Sequence, residues 1–285
     1  MPNKVFLEIT NVCNLSCSFC HGTRRTKRFI EVDEFRRAAT EARGFGEYLY
    51  FHLMGEPLLH PKLGELLDIA DELGFKVILT TNGTLLKRCR DLLLGKSALF
   101  KVSISLHSFE ANDREADFEN YLNDCFSFCR AAAKEGKIAV MRLWNIGGAE
   151  ELNRDIISRM HLYFDRDENT EWCEIYSGYK IDEKIFLEWG EKFDWPDADG
   201  EFCSDSHSCY GLRDQIGILS DGTVVPCCLD ADGAIPLGNV FEAPLSEILS
   251  SPRAEALKKS FETRQITEKL CQRCGYAKQK RYGKK

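Results

Sequence analysis

The chain has 285 residues, 44% hydrophobic and 29% charged, with a formal net charge of −7. That length buries a full core plus a small second module, and no run reaches the roughly 20 uninterrupted apolar residues of a membrane span. The negative balance argues against a nucleic-acid partner, because phosphate neutralisation needs a basic surface. No charged-then-apolar leader precedes the first strand, so the expectation is a soluble cytoplasmic protein without a membrane partner.

Thirteen cysteines are many for a cytosolic chain, where disulfides are rare and grouped cysteines read as metal ligands. They gather towards the two ends of the sequence, which predicts two metal sites on two modules. The first group follows a strand predicted over residues 5–9: Cys13, Cys17 and Cys20, spaced C-x3-C-x2-C. Three thiols so close can hold three corners of a [4Fe–4S] cube and leave one iron open to a small molecule. A structural zinc site is the competing reading; it wants four ligands, and His21 could supply the fourth.

The spacing resembles the founding motif of the radical S-adenosylmethionine (SAM) family, and Phe19 matches the aromatic that this family places beside the SAM adenine. The second predicted strand, 48–53, ends in Met54-Gly55-Glu56-Pro57. This is similar to the family's G-G-E-P motif with Met54 in place of the first glycine. The resemblance implies that Gly55, Glu56 and Pro57 hold the SAM ammonium, which with the SAM carboxylate chelates the open iron. His52 on the same strand points either into the barrel or into the helix layer.

Further strands are predicted at 76–81, 100–106, 138–144 and 173–177, with helices at 33–43, 63–73, 85–94, 118–134 and 150–163. Leu63, Leu66, Leu67, Ala70 and Leu73 share one helix face, and Gly74 sits where a stop is expected. Strands alternating with helices imply a parallel sheet with ligands at the C-terminal strand ends. Asn82 in Thr80-Thr81-Asn82-Gly83-Thr84 lies at such an end, as do Ser105 and His107. By resemblance Asn82 lines the SAM pocket and Ser105 contacts the ribose, while His107 contacts the substrate, acts as a base or simply packs. Arg142 on the fifth strand either pairs with the SAM carboxylate or holds a structural ion pair; Asn145 closes that strand.

The C-terminal third holds the second group: Cys209, then Gly222 to Cys227 in a G-x4-C register, then Cys271-Gln-Arg-Cys274. Ser220-Asp221-Gly222 reads as a hairpin turn between strands at 215–219 and 223–225, and a helix is predicted over 252–264. The pattern resembles the opening of the SPASM domain and, with no cysteine after Cys274, its shortened "twitch" form. That resemblance implies one auxiliary [4Fe–4S] cluster on Cys209, Cys227, Cys271 and Cys274, with Cys228 as the substitute for Cys227. A four-cysteine zinc module is the other reading. Cys125 and Cys129 read as small apolar helix residues, and Cys203 as a loop thiol near the active site or a residue without a role.

The expected fold is therefore α/β: a partial (β/α)6 TIM-like barrel over residues 1–180, a linker over 181–208, a twitch/SPASM-like module with a hairpin and helix over 209–278, and a basic tail over 279–285. The family resemblance implies SAM and two [4Fe–4S] clusters as cofactors and a flavodoxin- or ferredoxin-type reductant. It also implies reductive cleavage of SAM to a 5′-deoxyadenosyl radical that abstracts a substrate hydrogen. The shortened module looks closest to the twitch dehydrogenases that oxidise a secondary alcohol of an aminocyclitol, so a dehydrogenase-like oxidoreductase on a small molecule is the leading expectation. A peptide-modifying enzyme, of the ribosomal-peptide or sulfatase-maturing kind, is the first alternative. A non-catalytic electron carrier or zinc-stabilised binding protein is the second. An RNA modifier would rest on the basic tail alone.

Overall fold

The computed structural model describes residues 2–112, 117–165 and 170–282. Strand and helix alternate from the start: β1 (Lys4–Leu7), α1 (Val32–Ala42), β2 (Tyr48–Tyr50), α2 (Leu63–Glu72), β3 (Lys76–Thr81), α3 (Leu86–Leu94), β4 (Leu99–Ser105), α4 (Phe118–Lys134), β5 (Ile138–Ile146) and α5 (Asn153–Phe164). Neighbouring strands β1 to β5 pair in parallel, as the helical crossovers require. On one sheet face Val5, Leu7, Leu49, Val77, Leu79, Val102, Ile104 and Met141 are buried under the helices. Each such aliphatic side chain contributes roughly 2 kcal/mol by leaving water. Period-two alternation sends Phe6, Tyr50, Thr80, Ser103 and Arg142 to the opposite face, which lines the barrel lumen.

Helix α2 buries Leu63, Leu66, Leu67, Ile69 and Ala70. Gly74 ends it at φ +73°, donating its N–H to Asp71 O at 2.8 Å. Helix α4 starts where Asp117 accepts the Asn120 N–H at 3.1 Å, and it buries Cys125 and Cys129 as the small apolar residues expected.

The sixth strand of the barrel is not at 173–177. Residues there form β6 (Cys173–Ile175), an edge strand antiparallel to β7 (Gly178–Asp182). The chain then turns back into β8 (Ile185–Glu191), which pairs in parallel with β5 and is the true sixth barrel strand. The segment expected as a linker thus contributes a barrel wall. Its buried alternation (Ile185 and Leu187 at 1% and 0% exposure) marks a core strand.

The C-terminal hairpin is not a separate sheet either. Strand β9 (Gln215–Ile218) pairs in parallel with β1, and β10 (Thr223–Val225) and β11 (Gly238–Asn239) extend the same sheet. The full order is β11-β10-β9-β1-β2-β3-β4-β5-β8-β7-β6. Gly222 makes the hairpin turn at φ +86°, where a Cβ would meet the Asn239 side chain at 2.4 Å. Helices α6 (Leu245–Leu249), α7 (Pro252–Thr263) and α8 (Gly275–Tyr282) complete the module. The expected basic tail joins α8 as far as Tyr282 and otherwise lies outside the described residues. Among the described residues no helix is long and apolar enough to cross a membrane.

Candidate active site and thiol clusters

The chain leaves β1 and crosses the C-terminal strand ends as a loop that closes on itself through the Thr10–Phe29 bridge. Cys13 and Cys20 are exposed on it and Cys17 is half-buried. Each thiol faces an N–H donor: Leu15 N lies 3.4 Å from Cys13 Sγ, Gly22 N 3.4 Å from Cys20 Sγ, and Asn112 Nδ2 3.1 Å from Cys17 Sγ. Burial pushes the Cys13 and Cys17 thiols up, and these donors oppose the shift. Three thiols that act on one another and each receive an N–H fit a cluster held as thiolates. Asn112 carries no sequence signal; it also accepts the Ser16 N–H at 3.0 Å and so shapes the loop.

Gly55 and Glu56 tie this loop to the sheet. Gly55 has φ +78°, and a Cβ there would meet Thr10 O at 2.5 Å and Val12 O at 2.9 Å. Glu56 donates its N–H to Val12 O at 2.8 Å. Its carboxylate accepts the Thr81 hydroxyl at 2.7 Å, the Asn82 N–H at 2.8 Å and the Leu58 N–H at 3.1 Å. Burial raises this carboxyl to about 7 despite those bonds. Pro57 follows at the first position of a short turn, where a missing N–H costs nothing. Asn82 reaches the cysteine loop as well, donating to Asn14 Oδ1 at 3.0 Å. Of the expected SAM residues, Gly55, Glu56, Pro57 and Asn82 are therefore brought together beside the cysteine loop, and Glu56 and Asn82 also build its scaffold.

Phe19 packs on His107 with ring centroids 4.8 Å apart. His107 Nδ1 lies 3.0 Å from Arg142 O, and burial holds its imidazole down at about 4, so the ring is neutral. Ser105 stands half-buried at the end of β4, in register with Arg142. Arg142 points into the lumen, its Nε 3.3 Å from Glu188 Oε2 and its guanidinium 4.5 Å from the Trp144 ring centre. The ion pair considered as the alternative is thus present, and its partner lies on β8. His52 faces the lumen too, its Nε2 3.4 Å from Thr80 Oγ1. Asn145 is committed elsewhere: it donates to Asn153 Oδ1 at 2.9 Å and accepts from Asn153 Nδ2 at 3.1 Å, which anchors α5.

His21 is turned towards Asp232, with Nε2 3.4 Å from Oδ2. Asp232 also accepts the Thr23 hydroxyl at 2.9 Å and the Arg24 N–H at 2.8 Å. Burial acts to raise this carboxyl, and these donors outweigh it, leaving it below its ordinary value. Arg25 donates to both oxygens of the fully buried Glu8, at 2.8 and 2.7 Å. The cysteine loop is thereby strapped to the C-terminal module, a link invisible in the sequence because its halves are about 200 residues apart.

The thiols of the second set lie within electrostatic range of one another, although among the described residues no three Cys, His, Asp or Glu side chains are gathered closely enough to hold a single metal ion. Cys227 interacts with Cys209 and Cys271, and Cys271 with Cys209 and Cys274. Burial raises the Cys227, Cys228, Cys271 and Cys274 thiols, Cys274 to about 11 and Cys228 to about 12. As free thiols they stay protonated, and a bound cluster would hold them as thiolates. Cys228 lies against Gln215 at the start of β9 and packs with Tyr50 on the cluster of Phe6, Leu53, Leu219 and Val225, so it borders the lumen. Cys203 is close enough to Cys274 to influence it, which places it at this site.

Comparison with known proteins agrees with this construction. Residues 7–148 match the radical SAM superfamily, and residues 209–275 match the SPASM iron–sulfur cluster-binding domain. A probable GTP 3′,8-cyclase of Sulfolobus acidocaldarius is 36% identical over 110 residues, 36% of this chain and 34% of that protein. A PqqA peptide cyclase of Rhodopseudomonas palustris is 32% identical over 123 residues, 41% of this chain and 33% of that protein. The chain thus spans about a third of the length of these relatives. The structure of BtrN in complex with AdoMet and 2-DOIA superposes with a TM-score of 0.57 at 16% identity, covering 96% of this chain and 93% of that one. Its likeness is one of fold. The motif, the scaffold that holds it and both domain matches make this chain a member of the radical SAM superfamily, an enzyme that uses SAM with a [4Fe–4S] cluster and carries a SPASM domain for auxiliary iron–sulfur.

Proposed function

We propose that the protein is a dehydrogenase-like radical SAM oxidoreductase that removes two electrons and two protons' worth of hydrogen from a substrate held in the barrel lumen. The observation that carries this reading is the common lumen: Phe19 packs on His107 at its mouth beside the first thiol set, while Cys228, the neighbour of Cys227 in the second set, packs on the same lumen-side cluster as Tyr50. When bound, SAM and the first cluster on Cys13, Cys17 and Cys20 supply a hydrogen-abstracting radical, and an auxiliary cluster on Cys209, Cys227, Cys271 and Cys274 supplies an electron acceptor.

The chain's own residues do the rest. Phe19 and neutral His107 form an aromatic wall suited to an adenine. Glu56 holds the loops that frame the SAM ammonium, and Ser105 offers a hydroxyl at the level of the ribose. The strap from Asp232 to Thr23 and Arg24 fixes the distance between the modules, on which electron transfer depends. We assign residues 1–191 to the barrel and 209–278 to the module, with a flavodoxin- or ferredoxin-type reductant in the cytoplasm.

Replacing Cys271 with Ala tests the role of the second set. SAM cleavage persists and oxidised product falls at least tenfold; product yield unchanged in a folded variant contradicts the reading. Peptide modification is the second reading, supported by similarity to a peptide cyclase over the barrel. Product mass separates the two: loss of two hydrogens from a small molecule against a crosslinked peptide.

A further inference from the structure

The central strands carry an unusual inner face. Lys101 on β4, Arg142 on β5 and Glu188 on β8 all turn to the lumen, with Lys101 Nζ 3.4 Å from Glu188 Oε1 and Arg142 Nε 3.3 Å from Glu188 Oε2. One carboxylate is shared by two cations at long range, which leaves one positive charge uncompensated. Their side chains keep 22%, 15% and 19% of their surface although they sit mid-sheet under a complete helix layer. That residual surface leaves the three charged groups within reach of a ligand.

Two polar groups beside them have no partner among the described residues: Ser103 Oγ, on a fully buried side chain, and His52 Nδ1. Ser103 lies between Lys101 and Ser105 on the inner face and is in register with Thr80. Burial, then the charges of Arg142 and Lys101, push the His52 imidazole down to about 3, so it adds no charge. A buried hydroxyl left without a partner destabilises the fold, and a ligand oxygen would offset that loss. Glu8, the other acid on this face, is neutralised by Arg25.

We propose that Lys101 and Arg142, with Ser103, Thr80 and His52 as a neutral polar wall, form an oxyanion-binding subsite that receives a carboxylate or phosphate of the substrate. The subsite rests on the reading that the lumen holds the substrate, and it narrows that substrate to an anionic molecule. Bidentate hydrogen bonding suits Arg142 to either anion, and Lys101 adds a point charge.

The test is calorimetric titration of the anaerobically reconstituted protein with inorganic phosphate and, separately, acetate, each with and without saturating SAM. At least one anion binds saturably, and the stronger of the two identifies the substrate group. Lys101→Met weakens that binding by about tenfold, the effect of losing one charged contact of about 1.4 kcal/mol, whereas Lys101→Arg keeps it. Glu188→Gln tightens it several-fold by freeing both cations, which a purely structural ion pair would not do. Absence of saturable binding by either anion overturns the proposal, as do equal affinities in all variants. Displacement of the anion by SAM overturns it in favour of the SAM carboxylate. SAM cleavage by the unsubstituted protein, measured in parallel, tests the enzyme reading independently of the subsite.

Discussion

The Glu56 carboxylate accepts the backbone N–H of Asn82 at 2.8 Å, and this bond joins the loop after β2 to the loop after β3 beneath the cysteine loop. Because the same carboxylate also takes the Thr81 hydroxyl and the Leu58 N–H, Glu56→Ala leaves three buried donors unpaired. The expected cost is about 3 kcal/mol or more, from roughly 1–3 kcal/mol per stranded donor, read as a lower urea midpoint. Glu56→Gln keeps one good acceptor and loses less stability, yet still binds SAM at least tenfold more weakly by equilibrium dialysis.

Gly55 has no room for a side chain. Gly55→Ala forces a Cβ against Thr10 O, 2.5 Å away, at a φ of +78°. Strain of this kind costs on the order of 1–3 kcal/mol, and relief can come only by moving the loop that carries Cys13. The variant therefore loses both stability and iron bound at the first site, measured by denaturation and by iron content in a Cys271→Ala background.

Asn112→Ala removes the N–H that points at Cys17 Sγ from 3.1 Å. A hydrogen bond to a cluster sulfur favours the reduced, more negative cluster. Its loss lowers the reduction potential of the first cluster in an EPR-monitored titration, with a stability change of about 1 kcal/mol. A potential that stays in place means that Asn112 only shapes the loop.

His107 sets an acid limit on stability. Its folded pKa of about 4 lies below the ordinary histidine value, so the unfolded chain binds the extra proton first. The stabilisation is complete above pH 6.5 or so and is lost as the pH falls towards 4. At pH 5 the loss is about 2 kcal/mol relative to pH 7 by linkage. His107→Gln, compared with the parent by urea denaturation at both pH values, flattens this dependence by that amount.

How much of this was legible in the sequence depended on spacing. Cys13, Cys17 and Cys20 announced themselves because a cluster loop needs its ligands close together in the chain, and Gly55-Glu56-Pro57 because it resembles the family's motif and stands at a strand end. The strands β1 to β5 followed from alternation with helices. Strand β8 was hidden because a short meander, β6 and β7, interrupts that alternation, and an edge strand reads much like a barrel strand. The parallel pairing of β9 with β1 joins residues more than 200 apart, as does the contact of Asp232 with Thr23, and local pattern carries no trace of either. Glu188 as the partner of Arg142 was lost with β8.

The central claim is that the first thiol set cleaves SAM and that the radical formed takes a hydrogen from a substrate in the lumen. Anaerobic incubation of the reconstituted, reduced protein with SAM and perdeuterated anionic candidates, followed by mass spectrometry of 5′-deoxyadenosine, tests it most directly. The account predicts deuterium in 5′-deoxyadenosine with one candidate, and no 5′-deoxyadenosine at all from Cys17→Ala. Undiminished SAM cleavage by Cys17→Ala would contradict it.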